Sequence, residues 1–201
     1  MDPQAAIASG RLPWLLREQP ELAAAKDANG VSILLLARYH RNAEATAALI
    51  AAGAPITPLE AAALGETALL EGADLSVRSG DGFTPLHLAA FFAGPETVRA
   101  ILAAGAPADA DAVNRFKGRP IHGAAAAGDI ESVAALLEAG ANPNVQQEGG
   151  YTPLHTAAHT NSRELVELLL RHGANPALAD DEGVMPRDMA TDEDVRALFN
   201  P

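Results

Sequence analysis

The chain has 201 residues and a formal net charge of −12; 48% of it is hydrophobic, yet only 4% is aromatic. An acid surplus of this size argues against a nucleic-acid binder, which needs a basic stripe to neutralise phosphates, and favours a partner whose surface is neutral or basic. Without cysteine there is neither disulfide nor thiol chemistry, and the alanine-rich balance suits helices packed closely through small side chains.

Residues 1–20 hold Pro3, Arg11, Arg17 and Glu18 and no sustained apolar run. No leader and no membrane span are therefore expected, and the default compartment is cytoplasmic. Residues 1–28 read as an opening cap, in which Pro13 starts a helix through Leu15 and Leu16. In 29–56, Gly30-Val31-Ser32-Ile33-Leu34-Leu35-Leu36-Ala37 predicts a turn and a first helix. A second helix through Ala47, Leu49 and Ile50 ends at Ala52-Gly53-Ala54-Pro55. Thr57-Pro58-Leu59-Glu60-Ala61-Ala62 opens a compressed unit, 57–82. It follows its predecessor too closely to leave room for a projecting turn, and the interval from Gly65 to Gly72 is too short for a full second helix.

The unit 83–118 is more regular. Gly82 supplies a turn, the Thr84 hydroxyl is placed to cap a helix, and Pro85 takes the first helical position, where a missing N–H costs nothing. That helix runs to about Phe92. Its companion starts near Pro95-Glu96, carries Val98, Ile101 and Leu102 as one apolar stripe, and ends at Ala104-Gly105-Ala106. Units 119–150 and 151–183 repeat the pattern with the stripes Ile130, Val133, Leu136, Leu137 and Leu165, Val166, Leu168, Leu169, Leu170. Residues 184–201 form a closing cap. In it Met185-Pro186-Arg187-Asp188-Met189-Ala190 leads into Thr191-Asp192-Glu193-Asp194, a predicted helix start with a hydroxyl cap and acids at the positive dipole end.

Thr84-Pro85-Leu86-His87-Leu88-Ala89-Ala90 recurs as Thr152-Pro153-Leu154-His155-Thr156-Ala157-Ala158, with a looser copy, Arg119-Pro120-Ile121-His122-Gly123-Ala124-Ala125, between them. The three prolines are spaced by 35 and 33 residues, a period that marks a stack of small helical units. On this signature the chain resembles ankyrin-repeat proteins. The motifs are strongest across 79–183, and the alanine-rich, short-helix style is similar to bacterial members. The resemblance implies an all-α solenoid forming a single domain over 1–201, with about five repeats between two caps. It also implies L-shaped units, turns projecting as fingers, and a concave face of first helices that holds a protein partner. A monomer without cofactor or metal is expected.

The same resemblance gives His87, His122 and His155, with Thr84 and Thr152, a structural role, each imidazole bonding turn backbone in its own or the adjoining repeat. A metal site would need the rings to converge, whereas equivalent positions in stacked helices lie about 10 Å apart. His40, His159 and His172 have no ligand spacing. Asp109-Ala110-Asp111 with Asn114 has part of a calcium loop, but Asn114 and Pro120 stand where that loop needs glycine and glutamate, so it reads as a lengthened finger. Neither Gly-x-Ser-x-Gly nor a phosphate-binding loop is present, and no enzyme is expected.

The aromatic residues are the candidates for partner binding. Phe91 and Phe92 end a first helix; Tyr39 and His40 take the equivalent places in 29–56, as do His159 and Thr160 in 151–183. Either they form a row of anchors on one face, or one of each pair packs inward between helix layers. On the finger tips, Phe83, Arg115, Phe116, Lys117 and Tyr151 are either contact groups or solvated turn. The expected function is a non-catalytic protein-binding scaffold. Two alternatives are an immunity or inhibitor protein that neutralises a basic toxin or enzyme, and an enzyme accessory or weak hydrolase.

Overall fold

Proline sets where most of the helices begin. In the computed structural model, which describes residues 3–199, α1 (Pro3–Ala8), α2 (Leu12–Glu18) and a 3-10 turn (Pro20–Ala24) open the chain. Helix pairs follow: α3 (Ile33–Tyr39) with α4 (Ala43–Ala51), and α5 (Pro58–Leu64) with only a 3-10 turn, Thr67–Leu70. Three complete pairs come next, α6 (Pro85–Phe92) with α7 (Pro95–Ala103), α8 (Pro120–Ala127) with α9 (Ile130–Glu138), and α10 (Pro153–His159) with α11 (Arg163–Arg171). The short helices α12 (Pro186–Met189) and α13 (Glu193–Ala197) close the stack. Among the described residues there is no strand, only an isolated bridge between Lys26 and Ser32, and no helix is long and apolar enough to cross a membrane.

Two layers result. The first helices meet through alanine: Ala61, Ala62 and Ala63 on α5, Ala89 and Ala90 on α6, Ala124 and Ala125 on α8, and Ala157 and Ala158 on α10 are all buried. With methyl groups at the contacts, successive backbones approach closely. Larger side chains fill the space to the outer layer, among them Leu49, Val98, Ile101, Val133, Leu136, Leu165, Val166 and Leu169. Each contributes about 1.5–3 kcal/mol by leaving water.

The fingers form a ladder of their own. Val113 donates its N–H to the Gly82 carbonyl (3.1 Å), Glu148 to that of Phe116 (2.8 Å), and Asp181 to that of Gly149 (2.9 Å). Residues 52–57 join α4 to α5 without a projecting turn. Across that gap the turn at 29–30 packs directly on the turn at 80, so tightly that a Cβ on Gly80 would overlap the Asn29 carbonyl oxygen. One helix start differs from expectation. The cap of α13 is Asp192, whose carboxylate accepts from the N–H groups of Asp194 (2.8 Å) and Val195 (3.3 Å). Thr191, the residue expected to supply a hydroxyl cap, instead accepts from the Asn161 amide (2.9 Å). A charged acceptor able to take two N–H groups prevails over a neutral hydroxyl.

Candidate functional site: an aromatic groove under the fingers

The last turn of α6 presents Phe91 and Phe92 edge to face, with ring centroids 4.7 Å apart. Phe92 stacks on Tyr39 at 5.7 Å and an interplanar angle of 14°. The Arg38 guanidinium lies 5.4 Å from the Phe92 ring centre and donates to the carbonyls of Ala63 (3.1 Å) and Phe92 (3.2 Å). Those carbonyls sit at the C-terminal ends of α5 and α6, where the helix dipole favours a cation. Arg38 thereby ties three first helices together. Beside it, the Arg41 guanidinium lies 5.7 Å from the Phe91 ring centre. The Tyr39 hydroxyl donates to Asp81 (3.2 Å), which also accepts from Ser79. Burial, with the Asp81 charge beside it, pushes the Tyr39 phenol well above its ordinary range.

The fingers supply the facing wall. Phe83 tilts over the His87 ring at 5.6 Å, and on the next finger Phe116 carries the Arg115 guanidinium at 4.7 Å. Between fingers and first helices runs a groove of about 450 Å³, lined by Tyr39, Phe83, Leu88, Phe91, Phe92 and Phe116, and further along by Gly118, His122, Gly123 and Thr156. Asp81 and Arg119 are its charged lining residues. Arg119 is already paired with Asp111 (3.0 Å) and bonded to the Asp109 carbonyl (2.8 Å).

The signature histidines have no nitrogen to spare. His87 Nδ1 accepts from the Thr84 N–H (3.3 Å), so Nε2 carries the proton and donates to the Gly118 carbonyl (3.2 Å). His122 Nδ1 accepts from the Arg119 N–H (3.0 Å), with Nε2 on the carbonyls of Val145 (3.2 Å) and Tyr151 (3.3 Å). His155 does the same between Thr152 (3.1 Å) and Val184 (3.2 Å). Burial lowers the pKa of His87 to about 4 and that of His122 in the same direction. Each ring joins its own helix start to the following turn. Among the described residues no group of three or more His, Cys, Asp or Glu stands ready for a metal. Asn114 accepts from the N–H groups of Phe116 (3.0 Å) and Lys117 (3.2 Å) within its own turn, and Asp109 accepts from the Asn142 N–H (3.0 Å).

Five of the candidate residues, Tyr39, Phe83, Phe91, Phe92 and Phe116, thus gather on one groove, with Arg115 at its rim. The two phenylalanines divide the work: Phe92 packs against the apolar core, while Phe91 stands outside that cluster. His40 and His159 are exposed and do not line the groove. Tyr151 covers His155 at 5.5 Å. Lys117 is exposed at φ 51°, next to Phe116. Sequence reasoning missed Arg38, Arg41, Asp81, Gly118 and Gly123. A glycine inside a helical run was the one local cue, at Gly123.

The family model for ankyrin repeats in three copies matches residues 60–147, 86–180 and 121–197. The putative palmitoyltransferase ZDHHC13 of Danio rerio is 38% identical over 86 residues, 42% of this chain and 13% of that protein. The neurogenic locus notch homolog protein 1 of Xenopus tropicalis is 35% identical over 135 residues, 60% of this chain and 5% of its own length. The chain therefore spans only a small part of either relative. Signature, stacked helix pairs and matched family agree, and the chain belongs to the ankyrin-repeat family.

Proposed function

We propose that this protein is a monomeric, non-catalytic protein-interaction module whose groove receives a segment of a protein partner. The observation that carries the reading is the gathering of Tyr39, Phe83, Phe91, Phe92 and Phe116 on one groove, in a chain with only five Phe, two Tyr and one Trp. Half-exposed aromatic side chains held by neighbours are the groups that most often carry binding energy. Stacking on Tyr39 and Arg38 holds Phe92 in place before any partner arrives, so association loses less conformational entropy. The signature imidazoles of His87, His122 and His155 are buried and engaged on both nitrogens.

The test is affinity capture from an extract of the source cells with wild type, Phe91→Ala and Phe92→Ala. Phe91→Ala is expected to lose the captured partner while its melting temperature stays within a few degrees. Phe92→Ala is expected to lose stability as well, by about 1–3 kcal/mol, because its ring is part of the packed layer. Undiminished capture by folded Phe91→Ala would refute the groove as the site.

A further inference from the structure

We infer that the segment received by the groove is an acidic peptide carrying one large apolar side chain, which seats in a hollow at Gly118 and Gly123. This rests on the groove being the partner site and adds the chemistry of what enters it.

The hollow follows from a comparison of repeats. The position after each signature histidine is Leu88, Gly123 or Thr156, and the position before each signature Thr or Arg is Phe83, Gly118 or Tyr151. In the unit 119–150 both are glycine. Where the neighbouring repeats put an aromatic ring and a larger side chain, this one has two glycines lining the groove together with Phe91 and Phe116. A Cβ at Gly123 would meet that of Phe91 at 3.5 Å, so even one methyl starts to fill the space. An apolar side chain entering here would lie among rings and helix backbone, away from water.

The charge follows from which cations have found acids. Arg99, Arg119, Arg163, Arg171, Arg187 and Arg196 each pair with a carboxylate. Among the described residues, Arg11, Arg17, Lys26 and Arg78, none of which lines the groove, are in none of these ion pairs, and neither are Arg38, Arg41, Arg115 and Lys117, which lie on or next to its rings. Arg41 and Arg115, both exposed, lie instead on the groove's own rings, which orders their guanidinium planes and leaves them open to bidentate contact with carboxylates, whereas Arg38 is already engaged on the carbonyls of Ala63 and Phe92. The acids Glu44, Glu96, Glu131 and Glu164 stand in the first turns of the second helices, in the outer layer. Asp81, the one carboxylate among the lining residues, already accepts from Tyr39 and Ser79. Arg41, Arg115 and Lys117 thus flank a groove whose one lining carboxylate is already engaged, with the exposed acid Glu148 beside Phe116 on the neighbouring finger. Whole-chain charge alone pointed to a neutral or basic partner; the sign at the site points the other way.

A phage-displayed random-peptide library panned on the full chain tests this. The selected peptides are then measured against Gly123→Leu, which copies the residue found at position 88, and against the triple variant Arg41→Glu, Arg115→Glu, Lys117→Glu. Circular dichroism checks each fold, and Gly123→Ala serves as the milder filling should Gly123→Leu not fold. Enriched peptides should carry a Trp, Phe or Leu flanked by Asp and Glu, lose about tenfold or more in affinity for either variant, and bind more weakly as salt rises. Peptides sensitive to Gly123 but without acid enrichment, or indifferent to the triple variant, would overturn the inference while leaving the interaction module standing. Peptides indifferent to Gly123→Leu would overturn both. Failure to enrich any sequence would overturn the inference as well.

Discussion

At the scale of single residues, the buried imidazole of His87 couples the fold to pH. Its Nδ1 faces the Thr84 N–H, so a proton there would set donor against donor. The ring titrates near 6.5 when exposed and at about 4 when folded. Between those values the unfolded chain binds more protons. The His87 contribution is therefore complete above pH 6.5, drains away as the pH falls toward 4, and falls no further below that. The amount lost is on the order of 3 kcal/mol. Urea midpoints of wild type should drop from pH 7 to pH 4.5 by more than those of His87→Gln, and a folded-state His87 ring resonance titrating near pH 6.5 would contradict the account. The same signature slot holds Glu60 in the unit without a projecting turn. A carboxylate only accepts, so instead of donating to the next turn it takes the Ser32 hydroxyl (2.6 Å) and the Thr57 N–H (2.9 Å). Glu60→Ala should cost about 1 kcal/mol by removing the two hydrogen bonds made to the buried carboxylate, whereas Glu60→Gln should cost less. Equal losses in a denaturation series would mean that charge matters more than the pattern of acceptors.

At the scale of the helix, α8 carries a glycine in its interior, which ordinarily costs about 1 kcal/mol relative to alanine. The Cβ of an alanine at 123 would meet Phe91 Cβ at 3.5 Å and the His87 carbonyl oxygen at 3.6 Å, ordinary contact distances. Gly123→Ala should therefore raise the melting temperature by a few degrees, even as it narrows the groove; a lowered melting temperature would mean that α6 cannot give at all. The helices themselves were legible from local chemistry. Proline at the first helical position, a capping residue before it and one apolar stripe are all contained in a single repeat. The groove was not, because its walls come from Tyr39, Phe83, Phe91, Phe116 and Gly123, which no local pattern connects. Sequence also left open which of Phe91 and Phe92 turns inward. By repeat alignment Phe91 is the equivalent of Tyr39, yet Phe92 is the ring that stacks on it, an outcome of how α3 and α6 sit across the intervening α5. The acids were counted correctly, but a sum over the chain hides that Arg38, Arg41 and Arg115 lie on the groove's own rings.

At the scale of the whole molecule, a stack of repeats is held together by contacts between neighbours, so its weakest junction sets how it opens. That junction is the segment 57–78. Its first helix is clamped by buried Ala61, Ala62 and Ala63, but in place of a second helix it has the turn Thr67–Leu70, in which only Leu70 is buried. Less apolar area is buried there against either flank than at α9 or α11. Amides of 65–78 should accordingly exchange faster than those of 119–175, whose helix pairs are complete. Besides the Arg38, Tyr39 and Ser32 contacts to α5, α6 and Asp81, the two halves meet through the direct packing of the turn at 29–30 on Gly80. Both contact atoms at that point are backbone, so Gly80→Ala leaves no flexible side chain to move aside, and the two turns must separate. Hydrogen exchange read by mass spectrometry should then speed up in 26–33 and 57–64 and stay unchanged in 151–199. A uniform acceleration along the chain would mean that the array opens as one unit and that the bridge has no local role. Unchanged exchange in 26–33 would mean that the turns are not in contact in solution, and that the contacts of Ser32, Arg38 and Tyr39 carry the coupling.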